Sequence, residues 1–366
     1  MLLLRLIFAP VAKKVFRLLY VNLLVLILLT VVVELVFGDW LKKGDGLEHL
    51  AIPRSRHVVF DPSTLYDNGG KEITYLRDKY GLRGNCHIKP EDIDVLTIGG
   101  STTDQRYIDE NATWQVHLAN ELANMGFQLC IGNAGLDGHS TYGHHIIMFD
   151  WLLEIDNLRP EYILFYVGLN DFYSDVENQY DLTFRKTLWQ QASQNSVIFK
   201  LTKRLLGART GNELGHGGAN LNALTYTVNG LLTAGQRDSI ILPKIEEYRK
   251  RLDLLASQSY MIGAKPVFIS QPSFHYKWMD STLVGIEQTE TKQGFVYNGV
   301  DFYHMLQMMN STIEEVCLER GCSYIDLTSE SIFTKEDYYD LMHMTPSGTE
   351  KLGKVIASKW LPTSED

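Results

Sequence analysis

The sequence contains few cysteines and no cluster of basic residues beyond its N-terminus. Four cysteines among 366 residues are too few for a small domain held together by disulfides. Cys317 and Cys322 are spaced so that they could bridge in an oxidising compartment, and four scattered, buried thiols are an equal alternative. The 34 lysines and arginines are outnumbered by 44 acidic residues, so nucleic acid is not an expected partner. A zinc site is also disfavoured, because no two short Cys/His spacings converge.

Charge is almost absent from residues 18–37, a run of 20 residues in which only Asn22 and Glu34 are strongly polar. At about 1.5 Å per helical residue, such a run crosses the roughly 30 Å hydrocarbon layer of a bilayer. A cleaved signal peptide is the alternative, but its apolar region is shorter and is followed by small residues. We therefore predict one uncleaved transmembrane helix at residues 18–38.

The charges around this run predict its orientation. Residues 1–43 carry a net charge of +4, and the remainder of the chain carries −14. Bases before the run are not balanced by acids, whereas those after it are, so the positive-inside rule places residues 1–17 in the cytoplasm. We predict a single-pass protein of the cell (inner) membrane with its body outside. The charged residues nearest the run are Lys13, Lys14 and Arg17 before it, and Asp39, Lys42, Lys43, Asp45 and Glu48 after it.

Past the apolar run, residues 39–91 are rich in proline and glycine, which is typical of a stalk that packs on a main domain at residues 92–366. In the main domain short apolar runs alternate with helical patterns, which predicts a parallel sheet with helices on both faces. Apolar residues at helical spacing from Trp114 to Met125 predict a helix after the first strand, and Thr345 with Pro346 predicts the start of the last helix. The predicted strands are residues 95–98, 128–131, 162–167, 266–269 and 324–327.

Residues 172–235, approximately, are too long for an ordinary connection between strands and are predicted to be an insertion. They include an amphipathic run at 196–206 and five glycines at 207–218. The simpler interpretation is a helical cap with a mobile surface loop. The alternative is a lid or membrane-contacting element beside the substrate.

Four short polar segments lie at the predicted carboxyl ends of strands or just before the last helix, where parallel α/β folds place their sites. They are Gly99-Gly100-Ser101, Asn133 to Gly138, Gly168-Leu169-Asn170-Asp171 and Asp340-Leu341-Met342-His343. Each segment alone is also ordinary turn chemistry. Together they could supply a hydroxyl nucleophile, oxyanion donors and a carboxylate that orients an imidazole.

In this order the segments resemble the SGNH hydrolase family, the GDSL-like esterases and lipases. The resemblance covers about residues 92–361 and implies a three-layer α/β/α, flavodoxin-like fold with a five-stranded parallel sheet. It implies that Ser101 is the nucleophile and that His343 and Asp340 complete the triad. The oxyanion donors would be the N–H groups of Ser101 and Gly138 and the Asn170 amide. No cofactor or metal is implied.

One position departs from the family pattern. The first segment of the family is usually Gly-Asp-Ser, whereas Gly100 stands here in place of the aspartate. The substitution can alter the turn but removes no catalytic group.

The predicted function is hydrolysis of an acyl ester, with a short acyl group on an extracytoplasmic glycan, lipid or small molecule. Acyl transfer to a sugar hydroxyl by the same triad is one alternative, because the first half-reaction is shared. A non-catalytic anchored binding or assembly protein is another, although such a protein has no need for all four groups.

Other residues give weaker signals. His139, His144 and His145 are close together in the sequence, but no carboxylate pattern completes a metal site, and we expect them at the rim of the cleft. Arg83 precedes the first strand of the main domain, as a similar Gly-hydrophobic-Arg segment does in anchored proteins resembling this one. It could reach a substrate anion or pair with the acidic surface.

Overall fold

A five-stranded parallel sheet lies at the centre of the larger of two units, Ala51–Phe184 with Leu214–Asp366. The other unit comprises Met1–Leu50 and Arg185–Glu213. The structure, a computed structural model, describes residues 2–42, 44, 46–67, 69–84, 86, 89–174, 181, 184–207, 214–329 and 332–362. The predicted insertion at 172–235 is therefore shared between the units. Residues 208–213 of its glycine-rich loop lie outside the described residues, as do Lys43 and Asp45.

The first half of the chain contains five strands and seven helices within the described residues. The helices are α1 (Leu2–Phe37), α2 (Ser101–Asp104), α3 (Trp114–Asn124), α4 (Thr141–Asp150), α5 (Leu169–Tyr173), α6 (Leu188–Asn195) and α7 (Val197–Gly207). The strands are β1 (Arg56–Phe60), β2 (Ile73–Arg77), β3 (Val95–Gly99), β4 (Ile131–Asn133) and β5 (Tyr162–Val167).

The second half alternates strands with three long helices. The helices are α8 (Ala234–Met261), α9 (Gly299–Arg320) and α10 (Pro346–Lys359). The strands are β6 (Tyr226–Thr227), β7 (Lys265–Ser270), β8 (Tyr276–Met279), β9 (Thr282–Ile286), β10 (Glu290–Lys292), β11 (Phe295–Tyr297) and β12 (Ser323–Ile325).

The parallel sheet has the strand order β12-β7-β5-β3-β4. Renumbered within the sheet, this is the 2-1-3-4-5 order of flavodoxin-like folds, so the predicted fold class is confirmed. The strand predicted at 128–131 was misplaced, because pairing with β3 begins only at Ile131. Just before it, the Cys130 N–H donates to the Asp94 side chain, to Oδ2 at 2.7 Å. The Cys130 carbonyl oxygen accepts from the N–H groups of Asp94 at 3.0 Å and Val95 at 3.1 Å.

Helices cover both faces of this sheet. On one face α3 and α10 pack against each other and against the strands, through Trp114, Leu118, Leu352 and Ile356, all 1% exposed or less. On the other face lie α4, α8 and α9. The predicted start of the last helix is confirmed, because the Thr345 hydroxyl accepts a bond from the Gly348 N–H at 3.3 Å. This burial fixes the carboxyl edge of the sheet, where the predicted site residues lie.

The segment predicted to be a stalk contributes an antiparallel hairpin, β1 with β2, to the larger unit. Its inner residues, Phe60, Ile73 and Tyr75, are buried in an apolar cluster with Tyr107 and Ile108. Both cysteine pairs are disulfides, Cys86 with Cys130 and Cys317 with Cys322, so the alternative of four free thiols is wrong.

The smaller unit contains α1, α6 and α7. Helix α1 is long and apolar enough over Lys13–Phe37 to cross a membrane, by length and composition. A core helix of this length would be buried, but none of the apolar window of α1 is buried inside the structure.

Candidate active site

Ser101, His343 and Asp340 form a continuous chain of hydrogen bonds at the carboxyl edge of the parallel sheet. Ser101 follows β3, and its Oγ lies 2.7 Å from His343 Nε2. His343 Nδ1 lies 2.7 Å from Asp340 Oδ2. The second carboxylate oxygen, Oδ1, accepts bonds from the N–H groups of Met342 at 2.8 Å and His343 at 2.7 Å. The carboxylate therefore fixes both the imidazole and the turn that carries it.

The turn after β3 depends on two glycines. An ideal Cβ on Gly99 would lie 2.0 Å from Thr103 Oγ1 and 2.7 Å from the carbonyl oxygen of Tyr166. An ideal Cβ on Gly100 would lie 2.1 Å from Asn170 Nδ2. Real Cβ atoms do not approach other atoms so closely, so position 99 requires glycine against the Tyr166 backbone, and a Cβ at position 100 would have to displace the Asn170 amide. The chain can thus turn from strand to helix with Ser101 as the first helical residue.

Asn170 and Gly138, predicted from two other segments, lie in loops at the same edge. Asn170 is in α5, directly after β5, and its Nδ2 donates to the carbonyl oxygen of His139 at 2.7 Å. Gly138 has a φ of 75°, a left-handed conformation that favours glycine. Among the described residues, the N–H groups of Ser101 and Gly138 have no acceptor in the protein. Two backbone donors and one side-chain amide are thus found in the segments around Ser101.

The electrostatics keep the carboxylate of Asp340 charged. Burial acts to raise its pKa, but the hydrogen bond from His343 and the two backbone N–H donors outweigh burial and hold the pKa below its usual value. The carboxylate holds the His343 ring in the orientation that presents Nε2 to Ser101.

His216, which the sequence did not single out, lies against the face of His343. The two ring centroids are 4.3 Å apart, with an angle of 31° between the planes. His216 Nδ1 lies 3.0 Å from the Tyr339 hydroxyl, and its Nε2 lies 3.8 Å from Asp137 Oδ2. Contact with His216 helps to hold the pKa of Asp137 below its usual value, against the effect of burial. No sequence signal pointed to His216, because it lies in a glycine-rich segment more than a hundred residues from His343.

A buried ionic network supports the turn that carries Ser101. Arg77 Nη2 bonds to Asp104 Oδ1 and to the carbonyl oxygen of Gly135, each at 2.5 Å. Arg83 bonds to Glu110 Oε2 at 2.9 Å and to the carbonyl oxygen of Gln105 at 2.9 Å. Arg83 is 1% exposed, so both earlier interpretations, a substrate-anion contact and a pair on the acidic surface, are wrong. The guanidinium instead fixes the backbone after α2.

The small cavity beside Ser101 and His343 has a volume of about 10 Å³. It is also lined by Tyr166, Met344 and Leu352. This is close to the room that a single water-sized group needs.

Among the described residues, one group of three side chains could hold a metal ion. His216, Asp340 and His343 each place a ligand atom within 4.8 Å of the others. The hydrogen bonds described above already engage these same atoms, so a metal ion bound there would compete with the Ser101–His343–Asp340 chain.

Two of the three clustered histidines, His139 and His144, are buried and do not line the rim of a cleft, whereas His145 is half-buried. His139 is 6% exposed and His144 is 1% exposed. Burial lowers the pKa of His139 to about 4 and that of His144 to about 3. His139 contributes to the site through its backbone, by accepting the bond from Asn170.

No family model matches the chain, and no curated protein matches it. Its fold is similar to solved structures of GDSL/SGNH-type esterases. The psychrotrophic esterase EstA from Pseudoalteromonas sp. matches with a TM-score of 0.39 and 11% identity, over 73% of this chain and 96% of that chain. A GDSL-like lipase from Bacteroides thetaiotaomicron matches with 0.37 and 12%, over 75% and 90%. A catalytic mutant of the acetylxylan esterase Axe2 from Geobacillus stearothermophilus matches with 0.39 and 11%, over 72% and 92%.

Proposed function

We propose that this protein is a membrane-anchored serine esterase. The observation that carries the proposal is the chain of two 2.7 Å contacts that links Ser101 to His343 and His343 to Asp340. A hydroxyl held against an imidazole that is itself oriented by a carboxylate is the arrangement that activates serine as a nucleophile.

The proposed reaction begins when Ser101 attacks the acyl carbonyl and His343 Nε2 takes the proton from its hydroxyl. The C–O bond to the leaving alcohol then breaks, and His343 returns the proton to that alcohol. Water attacks the acyl-enzyme in the same way and releases the acid with free Ser101. Asp340 holds Nδ1 protonated, so Nε2 is the nitrogen that accepts the proton.

The negative charge that develops on the carbonyl oxygen needs donors that are already in place. The N–H groups of Ser101 and Gly138 are candidates because they have no acceptor among the described residues. Asn170 uses one amide N–H on His139, which leaves its second N–H for the oxyanion. Each such donor contributes on the order of 2.7–4 kcal/mol to the stability of the transition state.

The size of the cavity supports a short acyl group. The cavity of about 10 Å³ beside Ser101 holds one water-sized group, such as the methyl group of an acetyl ester. The proposed substrate is therefore a short-chain ester of an extracytoplasmic glycan, lipid or small molecule. The proposed location takes α1 as the anchor, with the N-terminus in the cytoplasm and the catalytic residues outside.

The experiment is a covalent labelling assay on the full chain in detergent micelles or nanodiscs. A fluorophosphonate probe should label the wild-type protein at Ser101, and an activated acetyl ester should be hydrolysed. Ser101→Ala should abolish both activities, while Ser259→Ala, a buried serine whose hydroxyl bonds to the Leu255 carbonyl oxygen within α8, should retain labelling. Absence of labelling in folded wild-type protein contradicts the esterase proposal.

The same assay distinguishes hydrolysis from acyl transfer. Release of the acyl group to water at the rate of turnover supports hydrolysis. If an added sugar removes the acyl group from Ser101 much faster than water does, Ser101 remains the nucleophile and the function is acyl transfer.

A second experiment tests the orientation. Protease added outside intact cells should digest the body of the protein, and protection from the protease would contradict the proposed orientation.

A further inference from the structure

Glu34 is the one carboxylate in the apolar run of α1, and both of its carboxylate oxygens accept hydrogen bonds. Its Oε1 accepts from Ser196 Oγ at 2.7 Å and from the Ile198 N–H at 3.1 Å. Its Oε2 accepts from Trp40 Nε1 at 2.9 Å and from the Val197 N–H at 3.1 Å. The first N–H groups of a helix have no partner inside the helix, so a carboxylate there stabilises it. Glu34 thus binds the N-terminus of α7.

A second group of contacts, made by Asp39, also joins α7 to the end of α1. The Asp39 N–H donates to the carbonyl oxygen of Asn195 at 2.9 Å. The Asp39 carboxylate pairs with Lys200 of α7 and, at 2.6 Å, with Lys42. All these residues belong to the smaller unit, so α7 is tied to the last turn of α1 and the residues directly after it.

Helix α7 divides into a broad apolar face and a narrow basic face. At about 100° per residue, Val197, Ile198, Phe199, Leu201 and Leu205 fall on an arc of about 200°. The opposite arc of about 100° holds Lys200, Lys203 and Arg204. The helix has no acidic residue. A basic amphipathic helix of this kind is typical of a membrane surface.

Several apolar side chains of α6 and α7 are not packed against other described residues. Leu205 is 76% exposed and Leu201 is 52% exposed. In α6, which packs on α7, Leu188 is 84% exposed and Trp189 is 77% exposed. Tryptophan is enriched at the membrane–water interface, where its ring is apolar and its N–H stays near water. A soluble surface rarely exposes so many large apolar groups together.

We propose that α6 and α7 lie in the outer interface of the bilayer that α1 crosses. The apolar face of α7 would contact acyl chains, and Lys203 and Arg204 would contact the headgroups of anionic phospholipid. Lipid is the occupant that the structure favours, because Glu34 lies three residues before the end of α1. At about 1.5 Å per residue this places the N-terminus of α7 within one helical turn of the membrane boundary. The inference rests on the proposal that α1 spans the membrane.

The test uses the full chain in nanodiscs of phosphatidylcholine with phosphatidylglycerol. A single cysteine is introduced as Leu205→Cys and labelled with a fluorophore that responds to polarity. The four native cysteines are paired, so they do not compete for the label. Lys203→Cys, on the basic face of the same helix, is the matched control, and Leu26→Cys reports the middle of α1.

A quencher attached to lipid chains should quench the label at position 205 at least about twofold more strongly than the label at 203, and iodide in the water should show the reverse order. Equal iodide quenching at both positions, without lipid quenching at 205, overturns the proposal. Lipid quenching at position 26 in that case shows that α1 is anchored and that only the interfacial placement fails. Loss of lipid quenching at position 26 would also contradict membrane anchoring.

A charge-reversal variant tests the lipid headgroup. In the wild-type background, replacement of phosphatidylglycerol by phosphatidylcholine should weaken lipid quenching at position 205. With K203E and R204E together, quenching should become independent of the anionic lipid. Unchanged dependence on phosphatidylglycerol in this variant contradicts the assignment of those two side chains to anionic headgroups.

Discussion

Gly100 and Asn170 approach so closely that no side chain fits between them. An ideal Cβ on Gly100 would lie 2.1 Å from Asn170 Nδ2 and 3.0 Å from the His139 carbonyl oxygen that the amide binds. This contact gives a physical reason for the one departure from the Gly-Asp-Ser pattern. In this chain a side chain at position 100 would enter the space that the Asn170 amide occupies, so that amide would have to move.

The first prediction follows from this contact. Gly100→Ala should displace the Asn170 amide and lower kcat toward the roughly hundred- to thousand-fold loss expected for Asn170→Ala. The measurement is steady-state hydrolysis of an activated acetyl ester. Gly235→Ala, at a glycine with open space around it, is the matched control and should leave kcat unchanged.

The double variant tests whether the two residues act together. In an Asn170→Ala background there is no amide to displace, so Gly100→Ala should cost little more. If the fold-loss in kcat of the double variant equals the product of the two single losses, the proposed link between the two positions is contradicted.

The second prediction concerns the dependence of stability on pH. The folded-state pKa of Asp340 is lower than its unfolded value, so its contribution to stability is present above the ordinary carboxyl pKa of about 3.9. That contribution is lost as the pH falls through the lower, folded-state pKa. Asp340→Asn should therefore reduce the free energy of unfolding at pH 7 and progressively less below pH about 4.

Denaturant unfolding of both proteins across this pH range measures the effect. Asp280→Asn changes an exposed carboxylate and should shift the free energy of unfolding little at any of these pH values. A destabilisation by Asp340→Asn that stays constant down to pH 3 would show that the carboxylate's charge is not the cause.

The third prediction concerns His216, whose ring packs on that of His343. His216→Ala should lower kcat by roughly tenfold, because the imidazole of His343 loses a surface that restricts its position. His216→Phe retains a flat ring and should recover most of this loss. KM should change less than kcat in both variants.

The exposed His57 on β1 provides a control for the loss of a histidine, and His57→Ala should behave as wild type. If His216→Phe is as slow as His216→Ala, the ring contact is not what positions His343.

The fourth prediction concerns the buried pair of Arg83 and Glu110, whose side chains are 1% and 5% exposed. Arg83→Met leaves the Glu110 carboxylate without its charged partner and should cost about 3–5 kcal/mol of stability. Arg249, which pairs with Glu315 and Glu319 at the surface, is the comparison. Arg249→Met should cost about 1 kcal/mol or less.

Urea unfolding of the full chain in detergent measures both variants. Adding Glu110→Gln to Arg83→Met should recover part of the loss, since the stranded charge is then removed. If Arg83→Met is no more harmful than Arg249→Met, the buried pair does not support the turn at Ser101.

Local sequence patterns predicted much of the fold. Strand β5 was predicted with its observed bounds, and β3 and β7 with theirs to within one residue at each end. The reason is that a strand buried on both faces is a continuous apolar run bounded by turn residues, and this signal is local. The edge strand β4 was misplaced because its start depends on which backbone groups of a neighbouring strand are available, which no local pattern encodes.

The sequence also determined which segments meet at one edge, since parallel strands all end on the same side of their sheet. The segments were selected in this way, and the resemblance to the SGNH hydrolase family then pointed to Ser101, Gly138, Asn170, Asp340 and His343 within them. Contacts between remote side chains were decided only by the tertiary structure. His216 against His343, Arg77 with Asp104 and Glu34 at the start of α7 each join segments 27 to more than a hundred residues apart. Their contact depends on how whole elements pack in three dimensions, and spacing along the chain carries no record of that packing.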